Sequence, residues 1–131
     1  PMSRPRLCVL ISAGGTTLQN LIDRTADGRL DAEIAGVVSS DPAAYGVTRA
    51  ERAGLPVRVV ARKPADAFSA RVFEAVRGFS PDLVVLAGWL HLLAIPPDFR
   101  LKVLNIHPSL LPAFGGKGMY GHRVHEAVLA Y

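Results

Sequence analysis

Leu7-Cys8-Val9-Leu10-Ile11-Ser12-Ala13-Gly14-Gly15-Thr16-Thr17 is the stretch on which the reading of the fold turns. Five apolar residues in succession leave no polar face, so a strand here is covered on both sides, as in a parallel sheet. Small residues end the run, and residues 17–26 continue with helical spacing. Working outward, runs rich in Val, Ile and Leu recur at 34–38, 57–60, 83–86 and 103–106. Helix-spaced segments separate them at 45–53, 65–79 and, more briefly, 92–99. Strands of this kind alternating with helices predict an α/β fold: a doubly wound, mostly parallel sheet with helices on both faces. Right-handed crossovers set every turn that follows a strand at the carboxyl edge of the sheet. Ligands of such folds bind at that edge, near the point where strand order reverses.

Half of the 131 residues are hydrophobic and a fifth are charged, the balance of a globular chain rather than a disordered one. The length suits one domain, 1–131. A formal charge of +4 favours anionic ligands. The basic residues are scattered and aromatics make up 7% of the chain, unlike the clustered, aromatic-interleaved footprint of a nucleic-acid binder. One cysteine, Cys8, excludes an intramolecular disulfide and a multi-cysteine zinc site. Its apolar setting predicts a structural, inert thiol. No apolar run approaches the ~20 residues that span a bilayer, and the five after the basic amino end are too few for a signal-peptide core. A cytoplasmic protein without a membrane partner is expected.

Two places carry candidate chemistry. In the turn after the first strand, Gly14 and Gly15 let the backbone approach a ligand, and Thr16 and Thr17 stand at a helix start whose amides favour an anion. The turn matches neither common nucleotide-binding glycine motif. A phosphate cradle and a plain turn with Thr16 as helix cap both remain open. In the fifth strand, Asn105 and His107 are two residues apart and so share a face. An Asn amide can donate to a developing oxyanion, and an imidazole can move a proton near neutral pH. Both could instead satisfy loop backbone groups. His91, His122 and His125 lack the partners of a metal site, so no metal is expected. Trp89 with residues 90–93 reads as half core and half pocket wall. Arg49, Arg52, Arg58, Arg62 and Lys63 read as a solvated face.

Three segments occur in order: Leu-Cys-Val-Leu-Ile-Ser-Ala-Gly-Gly-Thr-Thr-Leu-Gln (7–19), Leu-Val-Val-Leu-Ala-Gly-Trp-Leu-His-Leu-Leu (83–93) and Leu-Asn-Ile-His-Pro-Ser-Leu-Leu-Pro (104–112). Together they resemble the phosphoribosylglycinamide formyltransferases, folate-dependent enzymes of de novo purine synthesis with a Rossmann-like fold. The resemblance implies formyl transfer from 10-formyltetrahydrofolate to the amine of glycinamide ribonucleotide, by direct transfer and without a metal. It implies catalytic roles for Asn105 and His107, with Asn105 also touching the folate. It gives Gly15, Thr16 and Thr17 the substrate phosphate, with Gly14 shaping the turn. Leu90, His91, Leu92 and Leu93 match the segment lining the pteridine pocket, His91 standing where some members carry Arg. The two small molecules are then the partners, with no nucleic acid, and a homo-oligomer is compatible.

The family's third catalytic residue, an aspartate, has no counterpart before Tyr131: Asp82 precedes its strand at the opposite edge, and Glu126 falls on the last helix. The resemblance therefore implies an amino-terminal portion, truncated at its carboxyl end and poorly active alone. Residues 115–131 are expected to be less ordered or held by another chain. Two other readings stand beside it. One is a formyltetrahydrofolate deformylase, with water as acceptor. The other is a non-catalytic phosphate- or nucleotide-binding module on the same scaffold.

Overall fold

The computed structural model describes residues 4–106. His107, the loop that follows it, the helix expected from His122 and the expectation about residues 115–131 lie outside them. The elements are β1 (Arg6–Ile11), α1 (Thr16–Ala26), β2 (Glu33–Ser39), α2 (Tyr45–Arg52), β3 (Val57–Val59), α3 (Phe68–Gly78), β4 (Leu83–Ala87) and β5 (Val103–Ile106), with one 3₁₀ turn at Pro97–Phe99. All pairs are parallel, and the strand order is β3-β2-β1-β4-β5.

Alternation along the buried strands divides the core. Cys8 and Leu10 point to one face, joining Val72, Phe73 and Val76 of α3. Leu7, Val9 and Ile11 point to the other, joining Leu18 of α1 and Ala50 of α2. Each fully buried side chain of this size contributes about 1.5–3 kcal/mol. β1 to β3 step one way across the sheet, and the next crossover jumps back over two strands to β4. Right-handedness then requires α3 on the opposite face from α1 and α2, as the two clusters record. The doubly wound parallel sheet is therefore as expected.

Cys8 is completely buried, and desolvation pushes its thiol up to about 12, so it is an inert packing group. At the amino edge, Arg6 ties three elements together. Its side chain donates to Glu33 (2.8 Å), to the Phe79 carbonyl (2.8 Å) and to the Ser80 carbonyl (3.2 Å), and its backbone N–H donates to the Asp82 carboxylate (2.7 Å). Asp82 is thus committed at the edge away from the strand-end turns.

Two helix expectations require correction. Residues 92–99 form no helix beyond the turn at Pro97–Phe99, because Pro96 and Pro97 remove two N–H donors and push the residue before each out of helical backbone. The third helix begins at Phe68 rather than near residue 65, after Ala67 in left-handed backbone (φ 61°).

Candidate active site

The reversal of strand order falls between β1 and β4. The turn after β1 leads to α1 on one face of the sheet, while the loop after β4 sends Trp89 and Leu93 into the core on the other. The two strand ends remain joined, Ser12 N–H donating to the Gly88 carbonyl (3.2 Å). A cavity of 440 Å³ opens at this edge, its lining including Ser12, Ser40, Asp41, Arg62, Lys63, Leu90 and His91. That volume lies within the range of small-molecule sites.

On the other flank of Ser12 stands the glycine turn. Gly15 has left-handed backbone (φ 77°) and occupies the cap position of α1, with no side-chain cap. Thr16 is therefore the first helical residue and not the cap. A Cβ on Gly15 would lie 2.6 Å from Cα of Gly46, so the backbones of the turn and of α2 touch. Two turn carbonyls are tied to α2: Gly46 N–H donates to Ala13 O (3.1 Å), and Arg49 Nε–H donates to Gly14 O (2.9 Å). The Arg49 guanidinium also lies 4.9 Å from the Tyr45 ring centroid. With those acceptors committed, the first amides of α1, which lack intrahelical partners, are left as donors beside a guanidinium. This arrangement suits an anion. Thr17 is buried and Thr16 exposed.

Arg49 is thus removed from the solvated face to which the sequence assigned it. A signal existed: Arg49 follows Tyr45 and Gly46 by four and three residues and shares their helix face. What lies beside that face is a tertiary fact. Arg62 and Lys63 are exposed, as the sequence reading expects, and they also line the cavity. Asp41, which the sequence reading did not single out, joins them. Its carboxylate accepts the Ala43 N–H (2.9 Å), closing the turn after β2.

Residues 90–93 divide by direction. Leu90 and His91 line the cavity, Leu92 is exposed, and Leu93 is buried in the core. The His91 ring stands edge-on to Trp89 (5.2 Å) and Phe68 (5.7 Å), and its Nε2 is 3.0 Å from Ser40 Oγ. Desolvation, and then the charge of Arg62, hold its pKa below the ordinary 6.5.

Asn105 pairs in register with Leu86, which pairs in turn with Leu10. Two strand spacings, about 10 Å, separate it from β1. It follows Val103 by two residues and so shares the face of the α3 cluster. The edge thus brings Ser12, Leu90 and His91 together, sets residues 14–17 on the far side of Ser12, and holds Asn105 two strands away. Among the described residues, no three His, Cys, Asp or Glu side chains gather as metal ligands, and no helix is long and apolar enough to cross a membrane.

Sequence comparison matches residues 5–130 to the formyl transferase family, and the chain belongs to that family. It is 37% identical over 132 residues to a chloroplastic phosphoribosylglycinamide formyltransferase of Arabidopsis thaliana, covering 96% of this chain and 45% of that protein. Among solved structures it is similar to glycinamide ribonucleotide transformylase 1 from Symbiobacterium toebii (TM-score 0.75, 40% identity, 94% of this chain and 59% of that one). It is also similar to a formyltetrahydrofolate deformylase from Pseudomonas putida (TM-score 0.71, 25% identity, 82% and 39%). The chain thus spans roughly half the length of these relatives.

The close approach of Gly15 to Gly46 has a measurable cost. Gly15→Ala combines a left-handed L-residue with a backbone clash and is expected to lower stability by about 1–3 kcal/mol in denaturant unfolding. An unchanged midpoint contradicts the contact. For His91 the folded state favours the neutral ring. Its stabilising contribution is therefore full above 6.5 and is lost as pH falls toward the lower folded-state value. An NMR titration should place its midpoint below 6.5, and Arg62→Gln should raise it. Asp41, Lys63 and the Arg71 guanidinium over Phe68 are the other charges nearby. A midpoint above the ordinary value contradicts this environment.

Proposed function

We propose that the protein containing this chain transfers a formyl group from 10-formyltetrahydrofolate to the amine of glycinamide ribonucleotide, in de novo purine synthesis in the cytoplasm. The observation that carries the reading is the shared carboxyl edge. A glycine turn with its carbonyls tied back stands at the reversal point, and Asn105 lies near the end of a strand two places away, with His107 following in the sequence. Similarity to proteins named for this reaction supports it.

In this reading the amides of Gly14, Gly15, Thr16 and Thr17 hold the ribonucleotide phosphate, and the dipole of α1 favours its charge. Residues 90–93 wall the folate pocket. With Leu92 exposed and Leu93 spent in the core, that segment acts largely through main-chain groups. The cavity beside Leu90 and His91 is of a size to take part of the folate, and Arg62 and Lys63 suit its negative charge.

The formyl donor supplies an electrophilic carbon. As the substrate amine adds to it, charge builds on the formyl oxygen, and the Asn105 amide donates a hydrogen bond there. His107, protonated, gives a second donor. The proton shed by the amine reaches the departing folate nitrogen through water or His107. No covalent bond to the enzyme forms at any stage. The hydrolytic alternative has weaker support, since identity to the deformylase is 25% against 40% for the transformylase.

The test is an assay of the full-length protein with both substrates. Formyl transfer should require the ribonucleotide. Asn105→Ala is expected to lower kcat by about 10²–10³, and His107→Ala by about 10²–10⁴. Formate release that ignores the ribonucleotide would make the protein a hydrolase, and no turnover of either kind would reduce it to a binding module.

A further inference from the structure

The residues that end β1 and β2 and the loop after β4 are joined by side chains as well as backbone. Ser12 Oγ accepts the Leu90 N–H (3.1 Å). Ser40 Oγ lies 3.1 Å from Ser12 Oγ and 3.0 Å from His91 Nε2. Ser40 is buried, and the Ser40 N–H donates to the Ile11 carbonyl (3.1 Å). The His91 ring is held edge-on by Trp89 and Phe68, so its Nε2 has a fixed aim.

Hydrogen-bond counting ties the direction of this chain to the His91 tautomer. A serine hydroxyl has one proton and two acceptor sites. A proton on His91 Nε2 makes Ser40 an acceptor from His91 and a donor to Ser12, whose two acceptor sites are then filled by the Leu90 amide and by Ser40. A proton on Nδ1 would reverse both bonds, whereas with the Nε2–H ring the order of donation is His91 to Ser40 to Ser12. In that order the one proton left without a partner in the chain is that of Ser12, on a residue lining the cavity. Arg62 and Lys63 line the same cavity together with Asp41, and the two cations suit a negatively charged or carbonyl oxygen.

We propose that Ser12 is a ligand-contacting donor that recognises an acceptor oxygen, and that His91 and Ser40 are positioning residues that set its polarity. This assigns His91 a side-chain role beyond the wall its segment forms. The inference rests on the proposed reaction for the identity of the ligand, since either the formyl donor or the ribonucleotide can supply the oxygen. The polarity of the chain does not depend on that reaction.

Two measurements on the full-length protein decide it. First, ¹⁵N imidazole NMR on the neutral ring should show His91 as the Nε2–H tautomer. The Nδ1–H tautomer would run the chain backwards, turn the Ser12 proton toward Ser40 and overturn the proposal, whatever the protein catalyses. Second, Ser12→Ala should raise KM roughly tenfold for one substrate, the size of a lost hydrogen bond, with a smaller change in kcat. Which KM rises tells the two sources of the oxygen apart. Ser12→Thr, which keeps the hydroxyl, should recover much of the loss. His91→Leu should reproduce the KM effect, and His91→Gln, which keeps an N–H near the Nε2 position, should soften it. Unchanged KM values in a Ser12→Ala variant that melts normally would contradict the assignment. A protein with no transferase activity would defeat the proposed function while leaving the tautomer measurement to decide the polarity.

Discussion

Where β1 and β4 lie side by side, a chain that has been stepping in one direction across the sheet starts again in the other. Crossover handedness then forces α3 to the face opposite α1 and α2, and the connections leaving the two strands part from one another. The bond from Ser12 to Gly88 is the last backbone-to-backbone tie between them. Beyond it the surface must open. Cavity, glycine turn and Asn105 all lie at this one edge because every strand is parallel and every strand-end connection emerges there. At the opposite edge Arg6 binds Asp82, Glu33 and the end of α3, a structural use of charge that leaves the site edge uncommitted.

The glycine turn shows how a short sequence with no side-chain acids or bases becomes suited to an anion. Its useful groups are amides, and amides serve only if neighbouring carbonyls do not compete. Contact between Gly15 and Gly46 allows α2 to come close enough for the Gly46 amide and the Arg49 guanidinium to take up two of those carbonyls. A methyl group at either glycine would hold the elements apart. The site is therefore a property of the α2 packing as much as of the turn.

The fold was legible because its strands are short apolar runs and its helices are amphipathic, so periodicity and length spoke together for each element. The failures have local causes. Residues 92–99 have apolar spacing, yet two consecutive prolines outweigh it. Residues 65–67 look compatible with α3, but left-handed backbone at Ala67 delays the helix. The placement of Gly14 to Thr17 after β1 and of Asn105 near the end of β5 was legible in the sequence. The uses of Arg49, Arg62, Lys63 and the His91 side chain were not. Each depends on which element lies across a gap, and a charged residue on a helix or loop reads the same whether it faces water or a neighbouring turn. Similarity to the formyl transferases covers nearly the whole chain and shows the family, but it does not by itself say what an imidazole at position 91 does.

The claim at the centre of this account is that the turn between β1 and α1 receives the phosphate of the ribonucleotide. Amide chemical-shift mapping of the full-length protein during titration with glycinamide ribonucleotide tests it most directly. The account predicts the largest perturbations at Gly14, Gly15, Thr16 and Thr17, saturating with one ligand per chain and accompanied by smaller changes at Asn105. Perturbations confined to the amino edge, around Arg4, Thr25 and Glu33, with the turn amides unmoved at saturation, would contradict it.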